Sequence, residues 1–426
     1  MALSLDSLYR PFNEFFSQQF PPSGGAPVIF RFAEFARTFT DSDFLNPLHP
    51  EQGPRPEIAH ELLCTTVDCV PYLDPEGHTV SFLTGARLSD LYHDEIVDPA
   101  IPFVPTNVTD DAEKQARIDA FITAKADAIK LWKDSDFASL LEGSSVKIRA
   151  ANAEPGKWWD KTDANVWKNK SFQVKGATTV PGQPAPPTNK LLRMKVSDNV
   201  LQSVIQAQVV SQAAPQLSPA VGRPTVMLSR PAMLMAQPVF TAALANNTTR
   251  LESIRTTPAV RREVMFDPSL TTIDMHNEVA PKIAVFPFRQ RQELIELLAT
   301  EAPRQPVVTN DVTISFDYCA VNITRSWLHR ALIYNPSWCI PGQGKGKLSA
   351  NDRHGLPVLP VGFVAFKNLS IQAPWTPEDI TNLEQAEQFG PFNFDSKVVN
   401  GAITHTGIQI VGWILQTVPD LPPNAT

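Results

Sequence analysis

Along the start of the chain, apolar residues recur at steps of three and four: Leu5, Leu8, Phe12, Phe15 and Phe16. That spacing predicts a helix, interrupted near Pro11, with one apolar stripe. Such a stripe either docks on its own domain or serves as an arm that docks on a neighbouring subunit or a lipid surface. The clearest helical pattern begins at Asp110, a capping residue with Glu113 placed to reach back. It carries Ile118, Phe121, Ile122, Ile129 and Trp132 on one face and runs to about Lys133. A shorter helix, DFASLLEG, is predicted between Ser135 and Gly143. Another lies around Gln290–Leu298, with Leu294, Ile295, Leu297 and Leu298 on its buried face. The run Thr376-Pro377-Glu378-Asp379 places a cap, a first-turn proline and acids at the positive end of a further helix. This one buries Ile380, Leu383 and Ala386 and ends near Gly390.

Strand patterns have a different period. LLCTTVDCV and HTVSFLTG, within residues 60–84 and separated by Pro71, Pro75 and Gly77, predict a hairpin with an irregular connection. Val312, Ile314, Phe316 and Tyr318 alternate with polar residues, but beyond Cys319 the apolar positions become Val321 and Ile323. The change of parity implies a bulge or burial of both faces. VGFVAFKNLSI from Val361 and GIQIVGWILQTV from Gly407 are near-continuous apolar runs suited to central strands covered on both sides. No βαβ alternation is present. The expected class is α+β: a β-rich C-terminal antiparallel sandwich with short peripheral helices, and a mixed helical and β N-terminal region.

Three regions follow: a mixed region over 1–175, a Pro-rich linker and extended crossing segment over 176–250, and the β-rich domain over 251–426. The turn formers of GATTVPGQPAPPTNK mark the boundary near 176–190. The stretch after Gln212 holds Val226, Met227, Leu228, Met233, Leu234 and Met235, too much apolar area to leave in water, and is expected to lie across a core.

The 39 prolines imply short, interrupted elements. With 43% hydrophobic and 19% charged residues the chain is expected to be mostly packed. A net charge of −7 argues against nucleic acid as a partner of the whole surface. Cys64, Cys69, Cys319 and Cys339 are too few for a disulfide scaffold, with the pairings Cys64–Cys69 and Cys319–Cys339 left open. The opening MALSLDSLYRPFNEFF predicts no secretory signal, so the chain is expected to be cytoplasmic or exported without one. Apolar runs of about six residues fall short of the roughly 20 that a spanning helix needs, so no transmembrane segment is expected.

The blocks SFDYCAVNITRSWL, WCIPG, LPVLPVGFVAFKNLSI, FGPF and GIQIVGWILQTVPDLPP resemble the C-terminal blocks of an uncharacterised family of microbial proteins. The likeness implies a shared fold over about the last 120 residues and no activity, cofactor or site residue.

Candidate chemistry is sparse. His60, Cys64, Cys69 and His78 are four zinc-competent side chains close in sequence, but their spacing matches no standard finger, and buried thiols with surface imidazoles explain them as well. Pro341-Gly342-Gln343-Gly344-Lys345-Gly346-Lys347 could turn its N–H groups towards an anion, although it is not a P-loop and a solvated loop accounts for it. No G-x-S-x-G elbow exists, and Asp274-x-His276 and Asp352-x-His354 are pairs expected by chance.

The most suggestive cluster is Lys157, Trp158, Trp159 and Lys161, followed by Trp167, Lys168 and Lys170. Indoles interleaved with lysines suit sugar rings, lipid headgroups or single-stranded nucleic acid. The competing reading has the indoles plugging a junction while the lysines reach water. With no polar catalytic cluster in view, no cofactor is expected. The sequence favours a non-catalytic structural or binding protein that assembles with itself or a protein partner through apolar surfaces. A toxin-like protein recognising membrane or carbohydrate through Trp158–Lys170, or a hydrolase with a site assembled across the chain, are the alternatives.

Overall fold

The computed structural model describes residues 3–20, 27–46, 50–75, 77–82, 86–137, 148–176, 191–195, 304–309, 311–352 and 355–425. The linker, the Met-rich crossing segment, the helix expected at Gln290–Leu298 and most of DFASLLEG lie outside the described residues.

Helix α1 spans Leu5–Gln19. It opens on a reciprocal cap: Ser7 N–H donates to Ser4 Oγ at 3.1 Å, and Ser4 N–H donates to Ser7 Oγ at 2.9 Å. Contrary to the sequence expectation, the helix runs unbroken through Pro11. A proline deletes only one ladder bond, and here the tertiary contacts of the flanking turns hold the helix together. Its buried residues Leu8, Tyr9, Phe12 and Phe16 form the apolar stripe. Phe12 alone has the rings of Phe32, Phe172, Phe316 and Phe392 within 6 Å, centroid to centroid. The stripe is therefore covered by the chain's own core, and α1 is no free arm.

Eighteen strands occur among the described residues. In chain order the first ten are β1 (Val28–Phe39), β2 (Tyr72–Leu73), β3 (Thr79–Ser81), β4 (Ile101–Pro102), β5 (Asp136–Phe137), β6 (Ile148–Arg149), β7 (Ala151–Glu154), β8 (Lys168–Lys175), β9 (Leu192–Met194) and β10 (Arg304–Gln305). The rest are β11 (Asp311–Arg325), β12 (Trp338–Cys339), β13 (Val358–Gln372), β14 (Ala386–Phe389), β15 (Phe392–Asn393), β16 (Asp395–Val399), β17 (Ala402–His405) and β18 (Ile408–Thr417).

Ten of them form one curled sheet with the path β16-β17-β13-β18-β1-β3-β2. On its other edge β13 pairs with β11, which in turn carries β8 along its first half and β7 along its second. All pairs are antiparallel except β1–β3, so the sheet is mixed rather than purely antiparallel. The class is α+β. Residues before 176 and after 304 are joined in this one sheet, because β1 pairs with β18 and β7 and β8 pair with β11. A smaller sheet has the order β10-β9-β14-β15. Between β16 and β17, Asn400 and Gly401 have φ of 52° and 75°, the positive values of a two-residue hairpin turn.

The parity change read in the sequence around Cys319 is burial of both faces. Val312, Ile314, Phe316 and Tyr318 enter the apolar cluster that contains α1, whereas Cys319, Val321 and Ile323 enter a second cluster on the opposite side. Strand β13 does the same with Val364 and Phe366 on one side and Phe363 and Ala365 on the other. On β18 a bulge beside Gly412 lets Val411 and Ile414 face the first cluster while Ile410 and Trp413 face the second. A Cβ at Gly412 would lie 2.3 Å from the Phe30 ring, so only glycine lets that ring pass over the strand.

Helix α2 (Pro56–Val67) replaces the first strand of the hairpin expected at 60–84; the hairpin that does form is the short β2–β3 pair. Pro56 sits in its first turn, and Ile58, Leu62, Leu63 and Val67 supply a helical stripe. Its last carbonyls are capped by two buried arginines from distant strands. Arg37 Nη1 donates to Thr66 O at 2.8 Å, and Arg325 Nη2 donates to Val67 O at 2.8 Å. Helix α3 (Leu88–Asp90) continues into a π-helical turn over Leu91–Val97.

Helix α4 (Asp111–Asp134) starts where the sequence predicts, with Asp110 Oδ1 accepting Ala112 N–H at 2.8 Å; Glu113 pairs with Arg117 instead of reaching back. The single turn α5 (Arg330–Ile333) precedes α6 (Pro377–Gln385), which is capped by Thr376 as expected and ends earlier than Gly390, since Ala386 begins β14. Of the helix expected in DFASLLEG, Asp136 and Phe137 instead form β5. No helix among the described residues is long and apolar enough to cross a membrane.

Candidate functional site

The Trp–Lys cluster does not form a stacking surface. Trp158 is 1% exposed and packs edge-on against Phe39 of β1 and Phe363 of β13. Trp167 is also buried, and its Nε1 donates to Asp160 O at 2.8 Å. Trp159 is half-buried against Phe44. The lysines turn outward: Lys157 lies 3.9 Å from Asp163, Lys161 lies 2.5 Å from Asp41, and Lys168 is exposed at the start of β8. The indoles are core, because burying their area outweighs leaving them for a ligand.

His60, Cys64, Cys69 and His78 are likewise held apart. His60 is exposed on α2. The Cys64 sulfur faces Ala151, accepting its N–H at 3.3 Å, and burial pushes the thiol up to about 12. Cys69 accepts from Arg37 Nη2 at 3.3 Å, while His78 faces Asp6 at 3.4 Å. All four cysteines are free and buried, and burial also raises the Cys319 thiol to about 12. At neutral pH the thiols of Cys64 and Cys319 are therefore poor nucleophiles. In the glycine-rich loop, Lys345 pairs with Asp420 at 3.2 Å and Lys347 reaches Asp352 at 4.0 Å.

Imidazoles elsewhere are paired with acids or carbonyls. His405 Nδ1 lies 3.2 Å from Asp395, and His329 Nδ1 lies 3.0 Å from Ala124 O. His93 stands between Asp94 at 2.8 Å and Asp98 at 3.6 Å, the one grouping of three metal-competent side chains among the described residues. Both acids are largely exposed and the ring stacks on Trp132, which accounts for the trio as a polar surface cluster. No hydroxyl or thiol hydrogen-bonds to the imidazole of His78, His93, His329 or His405 among the described residues, the Tyr92 hydroxyl meeting only the His329 backbone, so none of the four rings has an activated nucleophile beside it.

Two other features stand out. The first is a cavity of about 340 Å³ lined by Glu34, Asp74, Thr79, Arg193, Arg304 and Gln388, with Leu5 of α1 among its apolar walls. Arg193, on β9, is 3% exposed and lies over the Phe35 ring at 4.1 Å. Its Nη1 donates to Gln388 Oε1 at 2.7 Å, and its buried Nε has no hydrogen-bond partner among the described residues. Burial first, then the positive charge of Arg304, lowers its pKa to about 9. Arg304 approaches Glu34 only to 3.6 Å. None of these residues belongs to a motif visible in the sequence.

The second feature is α4. Of its 24 residues only Phe121, Ala124 and Ala128 are buried, Ile122 is 53% exposed, and Ile118 one turn earlier is half-buried. Lys125 donates to Ala100 O at 2.8 Å and so holds the helix beside Ile101, which is itself 41% exposed.

No protein-family profile, no curated protein and no solved structure matches this chain.

Proposed function

We propose that this chain is a non-catalytic structural or binding protein that associates with copies of itself through apolar surface. The observation that supports the reading is α4, a long helix with only three buried residues and with Ile118 and Ile122 on the outer side of a face the sequence marks as apolar. Association rather than catalysis is favoured because the four thiols are buried, the imidazoles of His78, His93, His329 and His405 face carboxylates or a carbonyl, and none of these histidines lines the charged cavity. The same reading takes the ten-stranded and four-stranded sheets as two layers of a sandwich with α1 between them. The single apolar cluster shared by Phe12, Phe316, Leu192 and Phe389 supports this layering.

Sedimentation velocity at micromolar concentration is expected to show a species heavier than one chain, and Ile122→Glu is expected to return it to the monomer. A strict monomer for the unaltered protein across that range overturns the proposal.

A further inference from the structure

The cavity beside β9 contains an arginine that is almost wholly removed from water and, among the described residues, makes one side-chain hydrogen bond and leaves a buried N–H unpartnered. A guanidinium in that position is costly unless something completes its hydrogen bonding, since an unpaired buried donor forfeits its hydration. Gln388 is 2% exposed, and its Oε1 holds Arg193 in place while its Nε2 donates to Glu34 O at 3.4 Å. The fork is thus pre-oriented. Arg304 brings a second guanidinium close enough to depress the first, and the gap of 3.6 Å to Glu34 exceeds hydrogen-bond length.

We propose that this cavity binds a small zwitterion bearing a carboxylate and a protonated amine, an α-amino acid or a molecule of the same charge pattern, with Arg193 and Arg304 taking the carboxylate and Glu34 and Asp74 taking the amine. The charge count decides the ligand class. The lining carries two guanidiniums and two carboxylates. A polyanion such as phosphate meets the arginines but is repelled by the acids, and a simple cation brings no acceptor to the Arg193 Nε. A molecule with one charge of each sign satisfies both sides, and the planar fork of a guanidinium matches a carboxylate in bidentate fashion. Thr79 adds a hydroxyl to the lining, and Leu5 an apolar wall for a side chain. No residue of α4 lines the cavity, so the inference stands apart from self-association.

Isothermal titration of the full chain with glycine, L-leucine, L-glutamate, propionate, propylamine and inorganic phosphate tests it. At least one amino acid is expected to bind in the micromolar to low-millimolar range, with propionate and propylamine at least about tenfold weaker. Arg304→Ala and Glu34→Gln, both on partly exposed side chains, are each expected to weaken that binding about tenfold while leaving the thermal midpoint near that of the unaltered protein. Arg193→Gln is expected to abolish it; because that residue is buried, the two milder variants carry the test if it fails to fold. The proposal is overturned if no amino acid binds up to about 10 mM. It is equally overturned if propionate or phosphate binds as tightly as the best amino acid, or if affinity survives in Arg304→Ala.

Discussion

Helices α1 and α4 both carry an apolar face in sequence, yet the fold treats them in opposite ways. In the 15 residues of α1 the buried set is Leu8, Tyr9, Phe12 and Phe16, enclosed by rings from five strands. In the 24 residues of α4 it is Phe121, Ala124 and Ala128. The difference lies in the size of the buried side chains. Phenylalanines at a helix–sheet contact fill space between layers, whereas alanines let α4 lie close on a narrow strip and leave its larger residues outside. An apolar stripe therefore shows that a helix has a preferred side but not how much of that side is covered. Helix α6 belongs with α1, but it is fastened by its cap. Asp379 is fully buried and accepts from Val308 N–H at 2.8 Å and Thr309 N–H at 2.9 Å as well as capping with Thr376.

Substitutions can break or sharpen this contrast. The largest effect is expected from Phe12→Ala, which leaves a void among aromatic rings and should destabilise by about 3–5 kcal/mol in chemical denaturation. Next comes Asp379→Asn, which weakens several buried bonds at once and should cost about 1–3 kcal/mol at neutral pH. Burial alone would raise the pKa of Asp379, but hydrogen bonds from Thr309, Val308 and Thr376 outweigh it and hold the group below its ordinary 3.8. Its folded value being the lower one, the carboxylate stabilises the fold above the unfolded value and loses that contribution as pH falls through the folded value. The gap between Asp379→Asn and the unaltered protein should accordingly narrow below about pH 4, measured by urea titration at several pH values. The smallest effect is expected from Ile122→Ser, within about 0.5 kcal/mol. A cost for Ile122→Ser comparable to that for Phe12→Ala would show that α4 is covered after all and remove the contrast.

The parts legible in sequence were those fixed by local period. The α1 stripe, the start of α4 at Asp110, the cap at Thr376 and the change of face after Tyr318 all appear where their spacing puts them. Helix α2 was missed because the β-branched and cysteine residues of LLCTTVDCV imitate a strand, while the carbonyl end of the helix is secured by Arg37 and Arg325 from elsewhere in the chain. Trp158 looked like a ligand surface because its lids, Phe39 and Phe363, come from distant strands. The charged cavity was invisible for the same reason: Glu34, Arg193, Arg304 and Gln388 meet only when four strands are assembled.

Strand β18 lies between β13 and β1, so one of the two partners of β1 in the sheet is synthesised long after it. Until residue 417 has emerged, Phe30 and Phe32 wait without the neighbour that closes the layer beneath them. Closure of this sheet must therefore wait until β18 has been made. A nascent chain halted before that strand should stay open to proteases and to chaperones that seek greasy segments.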